Sequence, residues 1–138
     1  MASIIYNSAL DDAVKGNIDF DTDTFKIILV TSSYVADKDA HTKRSDVTNE
    51  AVGFGYTTGG ETTTVTVTKD TANDRIDIDF SDVAWPNTTL TAAGAVIYKS
   101  TGTAATDNLV AYLDFAGDVT STNGTFTVDI TSPLRLQN

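Results

Sequence analysis

The chain has 138 residues and no cysteine, and nine Lys and Arg stand against nineteen Asp and Glu for a formal charge of −10. That length suits one domain able to bury roughly two thirds of its unfolded surface, and the missing cysteines exclude disulfides, thiolate metal sites and a cysteine nucleophile. The charge opposes nucleic acid and anionic lipid, since the nearest approach to a basic cluster, Lys43-Arg44, has Asp46 two residues on.

No run approaches the ~20 apolar residues of a membrane helix. The opening MASIIYNSALDD has neither a basic start nor a long apolar stretch, so the expectation is a soluble protein made and used without export. The sequons at Asn87 and Asn123 would matter only in a secretory pathway.

Ala9, Leu10, Ala13 and Val14 recur at helical spacing, with Ser8 placed as N-cap, Asp11 and Asp12 in the first turn, Lys15 in the last and Gly16 beyond it. This predicts one short helix over about residues 7–15. Phe25 to Val30 is apolar at nearly every position, the pattern of a strand covered on both faces, with the N-terminal helix a candidate to cover one of them. Thr62 to Thr68 and Arg75 to Phe80 alternate as half-buried strands, and the turn formers Asp70 to Asp74 join them as a β-hairpin. Further strands are expected at Gly94 to Lys99, Leu109 to Phe115 and Phe126 to Ile130, with an edge at Leu134 to Leu136. Turns are expected at Thr101-Gly102 and Thr122 to Gly124.

About seven strands at this spacing, with one helix, predict a single all-β domain over residues 1–138: an antiparallel β-sandwich, of which the jelly roll is one form. The polar segment of about residues 32–60 holds the only histidine and four of the nine glycines. It is longer than a compact domain usually leaves irregular, and such excursions often carry binding surface.

Asp19, Asp21 and Asp23 raise the question of a cation site. Ile18 and Phe20 occupy even positions while Phe25, Ile27 and Leu29 occupy odd ones, so the backbone must turn between them. An EF-hand loop beginning at Asp19 would place Thr24 where glycine is needed and Val30 where glutamate is needed. The reading adopted is a solvated acidic turn, with a looser Ca²⁺ cage borrowing Asp37 or Asp39 as the alternative. Asp77, Asp79 and Asp82 likewise read as an exposed sheet face.

Hydrolytic chemistry would rest on His41, and no Gly-X-Ser-X-Gly elbow accompanies it. Carboxylate pairs for glycoside hydrolysis carry no specificity in so acidic a chain. Gly53, Gly55, Gly59 and Gly60 lack the Gly-Lys-Ser/Thr ending and the following helix of a phosphate loop, so turn geometry accounts for them. Trp85, Tyr34, Tyr56 and Tyr98 are candidate contact aromatics, with core packing the commoner fate for Trp85. The reading is therefore of no enzyme, cofactor or metal.

Four stretches carry a resemblance: IIYNSALDDAVKGNIDFDTDTFKIILVTSSY, DAHTKRSDVTNEAVGFGYTTGG, VTVTKDTANDRIDIDFSDVAWPNTTLTAAGAVIYKS and LVAYLDFAGDVTSTNGTFTV. Together they cover almost the whole chain, and they resemble a group of short virion proteins of tailed bacteriophages. The resemblance implies a β-rich structural protein, foremost a decoration or cement protein on the capsid exterior, assembled in the host cytoplasm. Its partner would then be the major capsid protein, and it would act as a homo-oligomer. A neck or tail component is the alternative, and a carbohydrate- or receptor-binding module using Trp85 and tyrosines comes from a different class. For adhesion, the expected interface residues are Ile4, Ile5 and Tyr6, and the loop bounded by Tyr34 and Tyr56; self-packing of the N-terminal segment is the competing expectation.

Overall fold

The computed structural model describes residues 3–138. Along them run β1 (Ile4–Ile5), α1 (Asn7–Lys15), β2 (Phe25–Val30), β3 (Glu61–Thr63), β4 (Val65–Asp70), β5 (Arg75–Phe80), β6 (Val83–Lys99), β7 (Leu109–Val128) and β8 (Leu134–Gln137). The strands form two antiparallel sheets, ordered β1-β7-β6-β2-β3 and β4-β5-β8, which pack together as an all-β sandwich. Three successive pairs, β2/β3, β4/β5 and β6/β7, each stay within one sheet. That order departs from the two Greek keys of a jelly roll.

β2 carries the predicted double burial. Phe25, Ile27 and Leu29 face the space between the sheets with Phe80, Trp85, Ile97 and Phe126. Ile28 and Val30 face the other way, into a second core with Tyr6, Tyr34, Val47, Val96, Tyr98, Leu109 and Tyr112. The cover on that outer face comes from the long polar segment, with Tyr6 at the entry to α1. The segment is held to the sheet by isolated bridges from Glu50 to Val30, Lys43 to Asn108 and Phe54 to Thr89, and contains a short 3-10 turn at Arg44–Asp46. It is a third layer of the fold, and its sequence looks like a loop because its few buried side chains are scattered.

Two expected boundaries move. Thr62 to Thr68 is divided at Thr64: Thr62 and Thr63 pair with β2, and Val65 onward pairs with β5. The corner is pinned by Ser81, whose carbonyl accepts from Thr63 Oγ1 at 2.8 Å and whose hydroxyl accepts the Thr64 N–H at 2.9 Å. Alternation carries on through such a corner, so periodicity cannot reveal it. The predicted strand at 109–115 and most of that at 126–130 are drawn, with the expected turn at Thr122 to Gly124, into one long β7 that ends at Val128, paired with a β6 that begins at Val83 and not at Gly94. Register shifts between Trp85 and Thr88, and between Ala92 and Gly94, bend this hairpin so that both halves of it line the same core. Pro86 falls in the first of these irregularities, where the ladder has no need of its missing N–H.

The helix occupies the expected span and ends at Gly16 in the left-handed conformation with φ 79°. Its cap differs: Tyr6 is the N-cap, and Ser8 Oγ is buried without a hydrogen-bond partner. Leu10 and Val14 face solvent while Asp12 is buried. The Asp12 carboxylate accepts from Asn17 Nδ2 at 3.0 Å and Asn108 Nδ2 at 2.7 Å, tying the helix to the start of β7. Burial alone would raise this carboxyl, and the two amide donors together with the charges of Lys43 and Lys15 outweigh it and hold it below the usual range.

Ser8→Ala is expected to leave the thermal midpoint unchanged or raise it, because the hydroxyl caps nothing; a loss of the ~1 kcal/mol typical of a cap would show otherwise. Asp12 has a folded pKa below its unfolded one, so its contribution is complete above about pH 4 and is lost as pH falls through the folded value. Asp12→Asn should accordingly flatten the acid limb of stability against pH, measured by urea unfolding between about pH 5 and pH 2.

Candidate functional surface

The third layer is organised by one carboxylate. Glu50 Oε1 accepts from the Tyr56 hydroxyl at 2.9 Å and the Gly59 N–H at 2.8 Å, and Oε2 accepts from Arg44 at 2.9 Å. The Tyr56 hydroxyl in turn accepts the Leu29 N–H at 3.1 Å. Arg44 lies over the Tyr98 ring at 5.5 Å, and the Tyr98 hydroxyl donates to the Gly59 carbonyl at 2.6 Å. Both members of the Arg44–Glu50 pair are largely withdrawn from water, which strengthens the pair and makes either partner costly to leave alone.

Two of the expected interface tyrosines lie inside, and the third, Tyr56, is half-buried. Tyr6 has no exposed surface, and its hydroxyl is 2.8 Å from that of Tyr34, itself buried and 3.0 Å from His41 Nδ1. Burial raises the Tyr6 and Tyr56 hydroxyls well above the ordinary tyrosine range and raises that of Tyr34. These rings glue the layers of the chain together; Tyr6 and Tyr34 are withdrawn from any partner, and Tyr56 keeps part of its surface. Ile4 and Ile5 add a strand to the edge of β7, and Ile4 packs against the outer core. Ile4 is half-buried, and Ile5 is the most exposed of the five, lining an apolar cleft of about 210 Å³ with Leu10, Phe20, Leu134 and Leu136. His41 stacks on Tyr34 and accepts the Asp37 N–H at 3.2 Å, a packing role within the loop.

The acidic turn is occupied by its own backbone. Asp23 Oδ2 accepts the Asp19 N–H at 2.7 Å, Asp19 Oδ1 accepts the Asp21 N–H at 3.0 Å, and Lys99 pairs with Asp23 at 3.0 Å. The Asp21 N–H, first among its donors, holds the Asp19 carboxyl below its usual range. Among the described residues no three His, Asp or Glu side chains are arranged to hold a metal ion. Asp79 stands on the exposed face as expected, whereas Asp77 is partly buried between Arg75 and Arg135 at 3.1 and 2.7 Å. Trp85 is packed in the core against Tyr56, so it offers no ring to a sugar.

What the surface does present has no signal in the sequence pattern. Val52 and Phe54 are 89% and 75% exposed, on either side of Gly53. A Cβ at Gly53 would come within 2.4 Å of the Thr89 carbonyl oxygen, and one at Gly55, where φ is 82°, within 2.5 Å of the Asn87 carbonyl oxygen. The two glycines thus let this backbone lie directly on β6, with the Thr89 N–H donating to the Phe54 carbonyl at 3.0 Å. The result is an apolar ridge with a fixed backbone. Two isolated apolar residues among glycines show no periodicity, which hides the ridge from pattern reading.

No protein-family model matches the chain, and no curated protein and no solved structure is significantly similar to it. Among the described residues no helix is long and apolar enough to cross a membrane.

Glu50→Ala should cost about 3 kcal/mol in denaturant unfolding, because it strands Arg44 in a site with little water and frees the Tyr56 and Gly59 donors. Glu50→Gln, which keeps an acceptor, should cost less. Equal and small losses for both would mean that the network does not hold the layer.

Proposed function

We propose that the chain is a structural protein of a tailed-bacteriophage virion that decorates the capsid exterior and grips the major capsid protein. The observation that carries the adhesive part of this reading is the Val52 and Phe54 ridge, two large apolar side chains held in water by a backbone fastened to β6. Apolar groups presented in a fixed geometry lose little conformational freedom on binding, and so suit a contact surface. The assignment to a virion rests on the resemblance of four stretches that span almost the whole chain.

Many copies on symmetry-repeated sites would let modest contacts sum across a shell and oppose the pressure of packaged DNA. The charge of −10 would keep free copies apart before assembly. The alternative of a carbohydrate-binding module loses its aromatic platform, because Trp85 is buried.

Purified protein is expected to co-sediment with capsid shells of the virus that encodes it, in hundreds of copies per particle. Val52→Ser combined with Phe54→Ser should weaken that binding at least tenfold while leaving the circular dichroism and thermal midpoint unchanged. Copies numbering a dozen or so at the neck would move the protein to the tail assembly, and no association with particles would overturn the virion reading.

A further inference from the structure

Every open sheet ends in strands whose outer N–H and C=O groups lack partners. Among the described residues three of the four terminal strands are short: β1 has two residues, β3 has three, and β8 has four, with Pro133 before it and Arg135 within it, and the stretches of β6 and β7 that run past β2 and β1 are broken by register shifts. β4 is different. It has six residues, Val65–Asp70, no proline, its one lysine, Lys69, toward its end, and an uninterrupted register against β5.

Hydrogen-bond parity shows what this edge offers. The Ser81 N–H donates to the Thr64 carbonyl at 2.9 Å. Bonded and non-bonded pairs alternate along an antiparallel ladder, so Thr66, Thr68 and Asp70 exchange bonds with Asp79, Asp77 and Arg75. Val65, Val67 and Lys69 therefore turn their backbone groups away from β5. The other side of β5 agrees, since the Asn138 N–H donates to the Asp74 carbonyl at 3.2 Å. The side chains of these outward residues lie on the face of Phe80, Ile78 and Ile76, their partners across the ladder. Ile78 is buried there, yet Val67 beside it is 40% exposed, so cover over this face stops short of the edge.

We propose that β4 is a dimerisation edge, pairing antiparallel with β4 of a second copy about a two-fold axis through Val67. The three-stranded sheets of the two copies would then join as one six-stranded sheet. Parity requires odd residues to meet odd residues, and the register centred on Val67 alone engages all three. Val67 meets Val67 of the second copy, Val65 meets Lys69, and Thr66 meets Thr68. The valine pair closes the uncovered apolar face, while the outer face gains threonine pairs suited to a sheet surface. No carboxylate meets a carboxylate in this register, whereas moving the axis to Lys69 would set two lysines opposite each other. A self-complementary strand of this kind fits a second copy of the same chain. Such pairing needs no capsid and does not depend on the virion reading.

The test uses the full chain, whose lack of cysteine leaves any introduced thiol alone. Sedimentation equilibrium should show a monomer–dimer equilibrium that tightens with salt, as the charge of each copy is screened. Val67→Cys should oxidise to a covalent dimer, because the two residues would sit within disulfide reach. Lys69→Cys should not, since its two copies would lie four positions apart, roughly 13 Å at ~3.3 Å per residue. Val67→Pro removes an outward N–H and leaves the β4/β5 ladder intact, so it should weaken the dimer on the order of a hundredfold with the circular dichroism unchanged. A chain monomeric at every concentration overturns the proposal, whether or not the edge then takes a peptide from another protein. A dimer that survives Val67→Pro, or that cross-links equally at Lys69→Cys, also overturns it.

Discussion

The architecture depends on one constraint: β2 is apolar on both faces and must be covered on both. The sandwich supplies one cover, through Phe80, Trp85 and Phe126. A second sheet on the outer face would have been the simple answer to the other. The chain uses instead its least regular segment, whose Tyr34 and Val47 join Tyr6 and Tyr112 over Ile28 and Val30. Irregular backbone over a core must still satisfy its polar groups, and this requirement explains why Glu50, Tyr56, Arg44 and Gly59 converge as they do.

Fastening of that layer shapes the surface. With Ala51 buried and Gly53 pressed on β6, Val52 and Phe54 have no interior left to enter. The same tie that stabilises the outer core therefore projects two apolar side chains into water. Such a ridge is tolerable because it is small and the molecule around it is strongly acidic. Adhesion would exploit a feature that the packing already enforces.

The small sheet obeys a different logic. Its inner face is covered near Phe80 and Ile78 and exposed toward Val67 and Leu136. The long β6/β7 hairpin is bent by its register shifts, and β4 is a terminal strand of the other sheet. An open edge and a partly uncovered face thus coincide on one strand, the combination most natural sheets avoid by charge, proline or brevity.

Local chemistry makes the helix, the double burial of β2, the β4/β5 hairpin and the turn at Asp19 to Asp23 legible in the sequence, since each depends on spacing or on turn residues within a few positions. The antiparallel sandwich follows from counting such elements. Distance along the chain conceals the rest. Nothing near Tyr6 or Tyr34 announces that their hydroxyls meet across 28 residues, and so both resemble surface aromatics when they are core. Ser8 resembles a cap because its neighbours look like a helix start, yet the backbone enters the helix from Tyr6. The corner at Thr64, the fusion of two expected strands into β7 and the exposure of Phe54 were all decided by which sheet each backbone group could reach. The sequence by itself determined which segments must be buried; the tertiary structure alone decided what buries them, because cover is a property of distant partners and not of local pattern.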